Sequence, residues 1–442
     1  MFWPRRAASG AIQFEGIDTN REIPIKRLAN SPPTQNRVTS ETVRWSASPL
    51  RIATAICLLA VCLMTVMALG VAVLAVTKSA HGVGSPDFVE YWAAGQLLTH
   101  GADPYEAAAT LRLERSAGWN TDQPEITFSP PVIFFLVIPL GLVGSKSGSV
   151  LWFILLVACL AISIRLLWIL NGRQAGQLHL LCFCFAPALT CLMSGQIGIF
   201  LLLGIVLFLY LHEPWPFLAG IALVVCFVKP HLFFPFGAVL FLWTIHRKQY
   251  RILTGIAAGL LAACVLTFCF DPHAWSQYER MLTVARPTEP LVPTLSRMFR
   301  SLVHRDSVWL QFLPAAAGCD WALWYFWSRR SRWDWMEQGL LLLLISVVCA
   351  PYAWFTDEAV LLPAMLAALY RAEDSGRSLL PFGLITGAAL LELFRGLWMT
   401  SPYFVWTAPA WLGWYLYATF GSRQNSCEGV QERTVVDVPI HD

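Results

Sequence analysis

Continuous apolar segments dominate this sequence and constrain its fold more than any other feature. A bilayer core has no water to hydrogen-bond the backbone, so only helices and closed barrels cross it. Barrel strands alternate apolar and polar residues, whereas these segments are apolar throughout, which predicts an all-α polytopic membrane protein. Thirteen segments can be identified, at 52–76, 131–143, 147–170, 177–193, 196–212, 215–229, 231–245, 251–270, 308–327, 337–350, 359–371, 379–397 and 403–420.

Charge and cysteine content exclude several other classes of protein. Only 13% of the 442 residues are charged, about half the share in a typical soluble domain. The net charge is +3, and the basic residues form short clusters between apolar segments, which does not fit a nucleic-acid partner. Of the 12 cysteines, only Cys427 lies clearly outside an apolar segment, and no histidine pairs with Cys182 and Cys184 at metal-ligand spacing. We therefore expect no disulfide, no metal and no cofactor.

Basic residues at the ends of the apolar segments predict the orientation of the chain. Residues 1–50 are polar and basic, and no apolar core of a signal peptide lies near the start, so we expect a flexible cytosolic tail. The first long loop, residues 78–129, has seven acidic and three basic residues and is predicted to lie outside. Basic clusters at 247–251 and 329–332 place the second long loop, residues 271–307, outside as well.

The number of apolar segments fits this orientation only if one of them is not a full span. Both 52–76 and 251–270 must run outward, so the six segments between them must contain an odd number of spans. The first candidate is 131–143, because it is short for a bilayer core and contains Pro139. Weaker candidates are 177–193, which contains Pro187, and the 215–245 region, which is broken at Lys229 and Pro230.

These segments predict one transmembrane domain in the cell membrane. We expect a bundle of about 12 transmembrane helices over residues 51–420. Residues 421–442 are polar and are expected to form a cytosolic C-terminal tail. The lipid bilayer is then a partner of most of the chain.

The first long loop carries polar chemistry directly after the first span, in the sequence SPDFVEYWAAGQLLTHGADPYE. Asp87 and Glu90 are three residues apart, which places them on one face of a helix. The run from Gly101 to Tyr105 is typical of a helix end and a tight turn, so we expect a short helix over 87–100. Asp87 is then either a residue near the helix cap or a carboxylate that accepts a proton from a substrate hydroxyl.

Three later motifs place polar residues inside or beside apolar segments. Gln196 follows Ser194 and Gly195, a pattern that is also typical of helix packing. Lys229 and His231 flank Pro230, and two cations at this position could hold a phosphate. The alternative is that Lys229 only marks a helix end and extends its ammonium toward water. Trp354 and Asp357 lie in a short turn before another apolar segment, where an acidic residue also suits a helix start.

Five of these motifs, in this order, resemble glycosyltransferase family 87. They are DFVEYWAAGQLLTHGADPY, FSPP with IPLGLV, SGQIGIFLLLGI, VKPHLFFPF and PYAWFTDEAVLLP, and the resemblance covers roughly residues 85–420. This family has the GT-C type of fold and is similar to mannosyltransferases that use polyprenol-phosphate sugars. The first motif is the most specific of the five.

The resemblance implies an enzyme and a place for its catalytic group. GT-C enzymes carry a catalytic carboxylate in the first outer loop, and the matching residue here is Asp87. They move a sugar from a lipid phosphate to an acceptor on the extracytoplasmic side, here a hexose such as mannose and a glycan or glycolipid hydroxyl. Candidate substrate-binding residues on the matching motifs are Glu90, Tyr91, Trp92, Tyr105, Gln196, Lys229, His231, Trp354 and Asp357.

The late motif departs from the family pattern. Several members have a pair of histidines after the tryptophan, where the donor phosphate is bound, whereas Trp354 is followed here by Phe355, Thr356 and Asp357. The phosphate contact then falls to Lys229, to His231 or to an arginine of the second long loop.

Two other functions remain possible on the sequence. A transporter or flippase would show two corresponding halves with ionisable residues inside its spans. Asp320 and the pair Glu392 and Arg395 are the only hints of such a pattern, and no internal repeat is evident. A catalytically inactive membrane scaffold is the second alternative, and the missing histidine pair favours it.

Overall fold

The computed structural model describes residues 49–78, 85–119, 122–284, 292–396 and 401–420. Within these ranges the protein is all-helical and has no β-strand, which confirms the predicted all-α class. The predicted cytosolic tails, 1–50 and 421–442, lie outside the described residues except for Pro49 and Leu50. The predicted division of the chain into a domain and two tails therefore stays a prediction.

Three of the described helices are long and apolar enough to cross a membrane. At 1.5 Å per residue, helices of this length span about 30 Å or more, which supports the membrane character of the chain. They are α1 (Pro49–Lys78), α5 (Ser145–Leu170) and α10 (Tyr250–Phe270).

The first long loop contains two helices, α2 (Pro86–Thr99) and α3 (Ala107–Ser116). Ser85 is the N-cap residue of α2 and proline follows it at the first helical position, where its missing N–H costs nothing. The helix ends at His100, and Gly101 takes a left-handed conformation with φ +70°. The helix predicted over 87–100 is therefore confirmed within one residue, and Asp87 lies in its first turn.

The loop helix α2 is buried in the protein. Phe88, Val89 and Tyr91 have at most 1% of their surface exposed. Gly95 of α2 meets Gly141 so closely that a Cβ atom on Gly141 would lie 2.1 Å from the Gly95 carbonyl oxygen. The helix of the first long loop that carries Asp87 is therefore packed against the apolar segment 131–143.

The segment 131–143 is broken. It forms a 3₁₀ turn at Pro131–Ile133, the four-residue helix α4 (Phe134–Val137) and a second 3₁₀ turn at Ile138–Leu142. Pro139 lacks a backbone donor inside the segment, and about twelve residues are too few for a full crossing. Several other apolar helices are also shorter than a crossing, so which early segment is not a full span stays a prediction.

The remaining helices are mostly shorter than a bilayer crossing and are joined by 3₁₀ turns. Before the second long loop they are α6 (Ala186–Ser194), α7 (Gly198–Leu211), α8 (Pro216–Ala222) and α9 (Phe234–His246). The second long loop contains α11 (Ala274–Val284) and α12 (Leu295–Val303). The last part has α13 (Leu313–Arg329), α14 (Gln338–Val348), α15 (Leu362–Asp374), α16 (Leu380–Phe394) and α17 (Thr407–Thr419).

Candidate active site

The turn after α6 packs against the N-terminus of α2. Gly195 ends α6 with φ +78°, and its carbonyl oxygen accepts a 2.7 Å hydrogen bond from Trp152 Nε1. A Cβ atom on Gly195 would lie 2.6 Å from Ser85 Oγ and 3.0 Å from Phe88 Cβ. Only glycine allows this approach, which brings the first turn of α2 next to Ser194 and Gln196.

We expect Gly195→Ala to destabilise the protein more than Gly101→Ala does. Both glycines have positive φ, which costs an alanine about 1–2 kcal/mol. A Cβ on Gly101 meets no atom within 4 Å, whereas a Cβ on Gly195 meets α2, and such overpacking costs a further ~1–3 kcal/mol. Thermal unfolding of both variants in one detergent measures the difference. Equal melting temperatures would show that α2 does not pack here as described.

Gln196 connects α2 to a lysine of the apolar region. Its side-chain oxygen accepts hydrogen bonds from Tyr91 Oη at 3.0 Å and from the Ile197 backbone N–H at 3.0 Å. The Lys229 ammonium lies 3.4 Å from the same oxygen. These three donors orient the amide, so its nitrogen is the group that remains to donate to a ligand.

Lys229 and Asp357 form a buried ion pair. Lys229 Nζ lies 2.7 Å from Asp357 Oδ1, and the two side chains are 12% and 1% exposed. The lysine lies where the apolar region is interrupted, between 3₁₀ turns at Leu223–Val228 and Pro230–Phe233. Asp357 Oδ2 accepts a 2.9 Å hydrogen bond from the Trp354 N–H. The pair therefore fixes both the break at Pro230 and the start of the 3₁₀ segment Phe355–Leu361.

Asp87 lies within the electrostatic field of this pair. Burial raises the pKa of Asp87 to about 6, and the neighbouring Ser194 hydroxyl and the charge of Lys229 oppose the rise. Burial also raises the pKa of Glu90, and the negative charge of Asp87 adds to that effect. Asp87 Oδ2 is buried and has no hydrogen-bond partner among the described residues, so this oxygen is available to accept a proton.

The other candidate residues differ in their relation to this cluster. His231 stacks edge-on against Tyr352 with ring centroids 6.0 Å apart, and it lies within electrostatic reach of Asp357 and Lys229. Trp354 contributes its backbone N–H. Trp92 and Tyr105 lie in packing contacts instead, with hydrogen bonds of 3.0 Å to the carbonyls of Val143 and Ser129. A sugar-stacking role for these two aromatic residues stays a prediction.

Three residues that the motif analysis did not select contribute to the cluster. The Ser194 hydroxyl lowers the pKa of Asp87, and the Glu125 carboxylate raises it. Cys191 Sγ lies 3.1 Å from the Thr356 carbonyl oxygen, which connects α6 to the Asp357 segment. Ser194 belongs to a motif whose spacing is also that of helix packing, and Glu125 stands in no motif, so only the structure identifies them.

Glu358 and its neighbour Asp357 have different hydrogen-bond partners. Its two oxygens accept hydrogen bonds from Thr407 Oγ1 at 2.6 Å and from Trp411 Nε1 at 3.1 Å. Glu358 therefore connects the Phe355–Leu361 segment to α17, and only Asp357 faces the lysine.

The all-helical fold, the apolar spans and the buried polar cluster define a helical membrane protein with a candidate active site. A family model described as glycosyltransferase family 87 matches residues 128–370, more than half of the chain. The chain belongs to glycosyltransferase family 87 and is a membrane glycosyltransferase, with a sugar donor and an acceptor as its substrates. The matched range includes Gln196, Lys229 and Asp357, whereas Asp87 and α2 precede it. No curated protein and no solved structure matches the chain.

Proposed function

We propose that this protein transfers a hexose such as mannose from a polyprenyl-phosphate donor to a hydroxyl of a glycan or glycolipid. The observation that carries the proposal is the series of contacts from Tyr91 through Gln196 and Lys229 to Asp357. This series holds α2, with Asp87, beside the buried cation of the apolar region. A lipid-linked phosphate sugar requires this combination of a base and a cation next to an apolar environment.

Asp87 acts as the general base of the transfer. Its carboxylate removes the proton of the acceptor hydroxyl while the hydroxyl oxygen forms a bond to the anomeric carbon. The bond from that carbon to the phosphate oxygen breaks, and its electron pair leaves with the polyprenyl phosphate. A single displacement of this kind inverts the anomeric centre. A pKa of about 6 suits this role, because Asp87 is then mostly ionised at neutral pH and still basic.

Lys229 stabilises the departing phosphate. A lysine ammonium has three hydrogen-bond donors. Asp357 takes one at 2.7 Å and Gln196 lies 3.4 Å from the group, so one donor remains for a phosphate oxygen. Asp357 keeps the cation in place in a site that would otherwise disfavour charge. The Gln196 amide nitrogen and His231 complete the polar contacts that we assign to the donor.

The topology proposed for this activity is a GT-C-like bundle of about 12 transmembrane helices in the cell membrane. The acidic first long loop, with α2, lies on the extracytoplasmic side, and both termini lie in the cytosol. Basic clusters at 247–251 and 329–332 support this orientation. Polyprenyl-phosphate sugars then reach Asp87 from within the bilayer.

The choice of donor tests the proposed function. Purified protein in liposomes is given radiolabelled polyprenyl-phosphate sugars or the corresponding nucleotide sugars, with an acceptor glycolipid extract. We expect transfer from a polyprenyl-phosphate hexose and none from a nucleotide sugar, because the site joins a buried base to a cation beside apolar helices. Protein-free liposomes are the control. Transfer from nucleotide sugars alone would contradict the proposed polyprenyl-phosphate donor. No transfer from any donor by folded protein would favour a catalytically inactive scaffold.

A further inference from the structure

Helix α12 of the second long loop has its polarity inverted. Its polar residues Arg297 and Arg300 face the protein and are 3% and 4% exposed. Its large apolar residues face away from the protein, and Leu302 is 78% exposed. A helix in water shows the opposite arrangement, with charged residues outside and apolar residues against the core. The exposed apolar residues of α12 are Met298, Phe299, Leu302 and Val303.

The polar side of α12 is held by side-chain hydrogen bonds to the backbone that precedes the site. Ser296 Oγ donates to the Cys349 carbonyl at 3.2 Å. Arg300 donates to Gln311 Oε1 at 3.1 Å, and the Gln311 amide donates to the Pro351 carbonyl at 2.6 Å. The inward orientation of the arginines is therefore built into the fold. These hydrogen bonds also connect α12 to the backbone at residues 349–351, which precedes Trp354 and Asp357.

The exposed apolar surface continues beyond α12. The 3₁₀ turn Val308–Phe312 follows the helix and packs against it, and α13 begins directly after this turn. Val308, Trp309, Phe312 and Leu313 are each at least 40% exposed. The exposed apolar residues of α12 thus lie on an element that packs against the start of the apolar segment 308–327, with the exposed residues His304, Arg305 and Asp306 in the connection between them.

We propose that α12 lies in the membrane–water interface, with its apolar side against lipid acyl chains. The described part of the chain contains helices that are long and apolar enough to cross a membrane, so an exposed apolar helix face beside an apolar segment has the bilayer available to cover it. Trp309, 63% exposed at the end of the surface, takes the headgroup level that tryptophan prefers. Because α12 is hydrogen-bonded to the backbone at 349–351, the contact of α12 with lipid sets the depth of the Asp357 segment relative to the lipid headgroups. The inference goes beyond the proposed transferase activity and does not depend on it.

Photo-crosslinking tests the proposal on the full chain. The photoreactive residue p-benzoylphenylalanine is placed at position 299 or 302, both exposed, so folding is preserved. A matched variant carries it at position 108, an exposed position of α3 in the first long loop. Each variant is irradiated in liposomes of phosphatidylcholine and phosphatidylglycerol, and adducts are measured by mass spectrometry. We expect at least tenfold more lipid adduct at 299 and 302 than at 108.

Two results would overturn the proposal. A crosslink from 302 to a second copy of the chain in place of lipid would show that the apolar side of α12 is a dimer interface. Equal lipid adducts at 302 and 108 would show that α12 lies in water. Both results can be obtained whether or not the protein transfers sugar, so they are separate from a failure of the transferase proposal.

Discussion

Asp87→Asn is expected to abolish sugar transfer while leaving the fold intact. The amide has the size of the carboxylate, but it cannot accept the proton of the acceptor hydroxyl. General-base catalysis contributes about 10²–10⁴-fold to a rate, so the turnover should fall by about that factor. Asp87 Oδ2 is buried without a hydrogen-bond partner among the described residues, so replacing this oxygen by an amide nitrogen removes no hydrogen bond of that oxygen. Transfer of radiolabel from a polyprenyl-phosphate sugar in liposomes measures the loss.

The matched control is Glu106→Gln, which removes an exposed carboxylate from the same loop. Its turnover should equal that of the unmodified protein. The pH profile adds a second signature, because the base must be ionised to act and burial raises the pKa of Asp87 to about 6. The kcat/KM of the unmodified protein should therefore fall as the pH drops through about 6. Undiminished turnover in Asp87→Asn would refute the assignment of Asp87 as the base.

Lys229→Ala is expected to raise the KM for the donor more than the KM for the acceptor. The lysine is assigned to the phosphate, which only the donor carries. The substitution also leaves Asp357, which is 1% exposed, without its cation. Breaking a buried ion pair at one partner costs about 3–5 kcal/mol, so a lower melting temperature is expected as well. Initial rates at varied donor and acceptor concentrations separate the two KM values.

The double variant Lys229→Ala, Asp357→Asn distinguishes stability from catalysis. Replacing the carboxylate removes the uncompensated charge, so the melting temperature should recover most of the loss caused by Lys229→Ala. The donor KM should stay high because the cation is still absent. If both KM values rise equally in Lys229→Ala, the lysine is a structural residue and another cation meets the phosphate.

Local signals in the sequence predicted much of the fold. Long apolar runs predicted the helical membrane class, because the backbone of a span must satisfy its own hydrogen bonds. The run from Gly101 to Tyr105 predicted where α2 ends, and the helix lies within one residue of the predicted range 87–100. The count of 12 spans is different, since it depends on how broken segments are arranged in a bilayer, and it stays a prediction.

The long-range contacts of the candidate site could not be predicted in the same way. The segment 131–143 was expected not to be a full span, but its close contact with α2 depends on Gly95 and Gly141, which are far apart in sequence. In the sequence, Gln196 is only an amide within an apolar stretch, and helix packing explains such a residue as well as a functional role does. One of its three donors is the N–H of the next residue, Ile197, but the other two, Tyr91 of α2 and Lys229, are distant in sequence, and only the fold brings them to the amide.

Neighbouring aromatic residues show a further limit of the sequence. Tyr91 and Trp92 are adjacent in a motif, and both were candidates for the substrate. Consecutive residues of a helix point about 100° apart, so Tyr91 reaches Gln196 whereas Trp92 reaches Val143. In the same way, the sequence identified 271–307 only as a second long loop, and the inverted polarity of α12 within it became visible once burial was known.

The position of a bound donor tests the central claim most directly. An experimental structure of the protein with a polyprenyl-phosphate sugar, or with a non-hydrolysable analogue, would locate the phosphate and the anomeric carbon. We predict that a phosphate oxygen lies within hydrogen-bonding distance of Lys229 Nζ and that the anomeric carbon faces Asp87 across space for one acceptor hydroxyl. A donor whose phosphate binds elsewhere, with Asp87 distant from its sugar, would contradict the proposed active site.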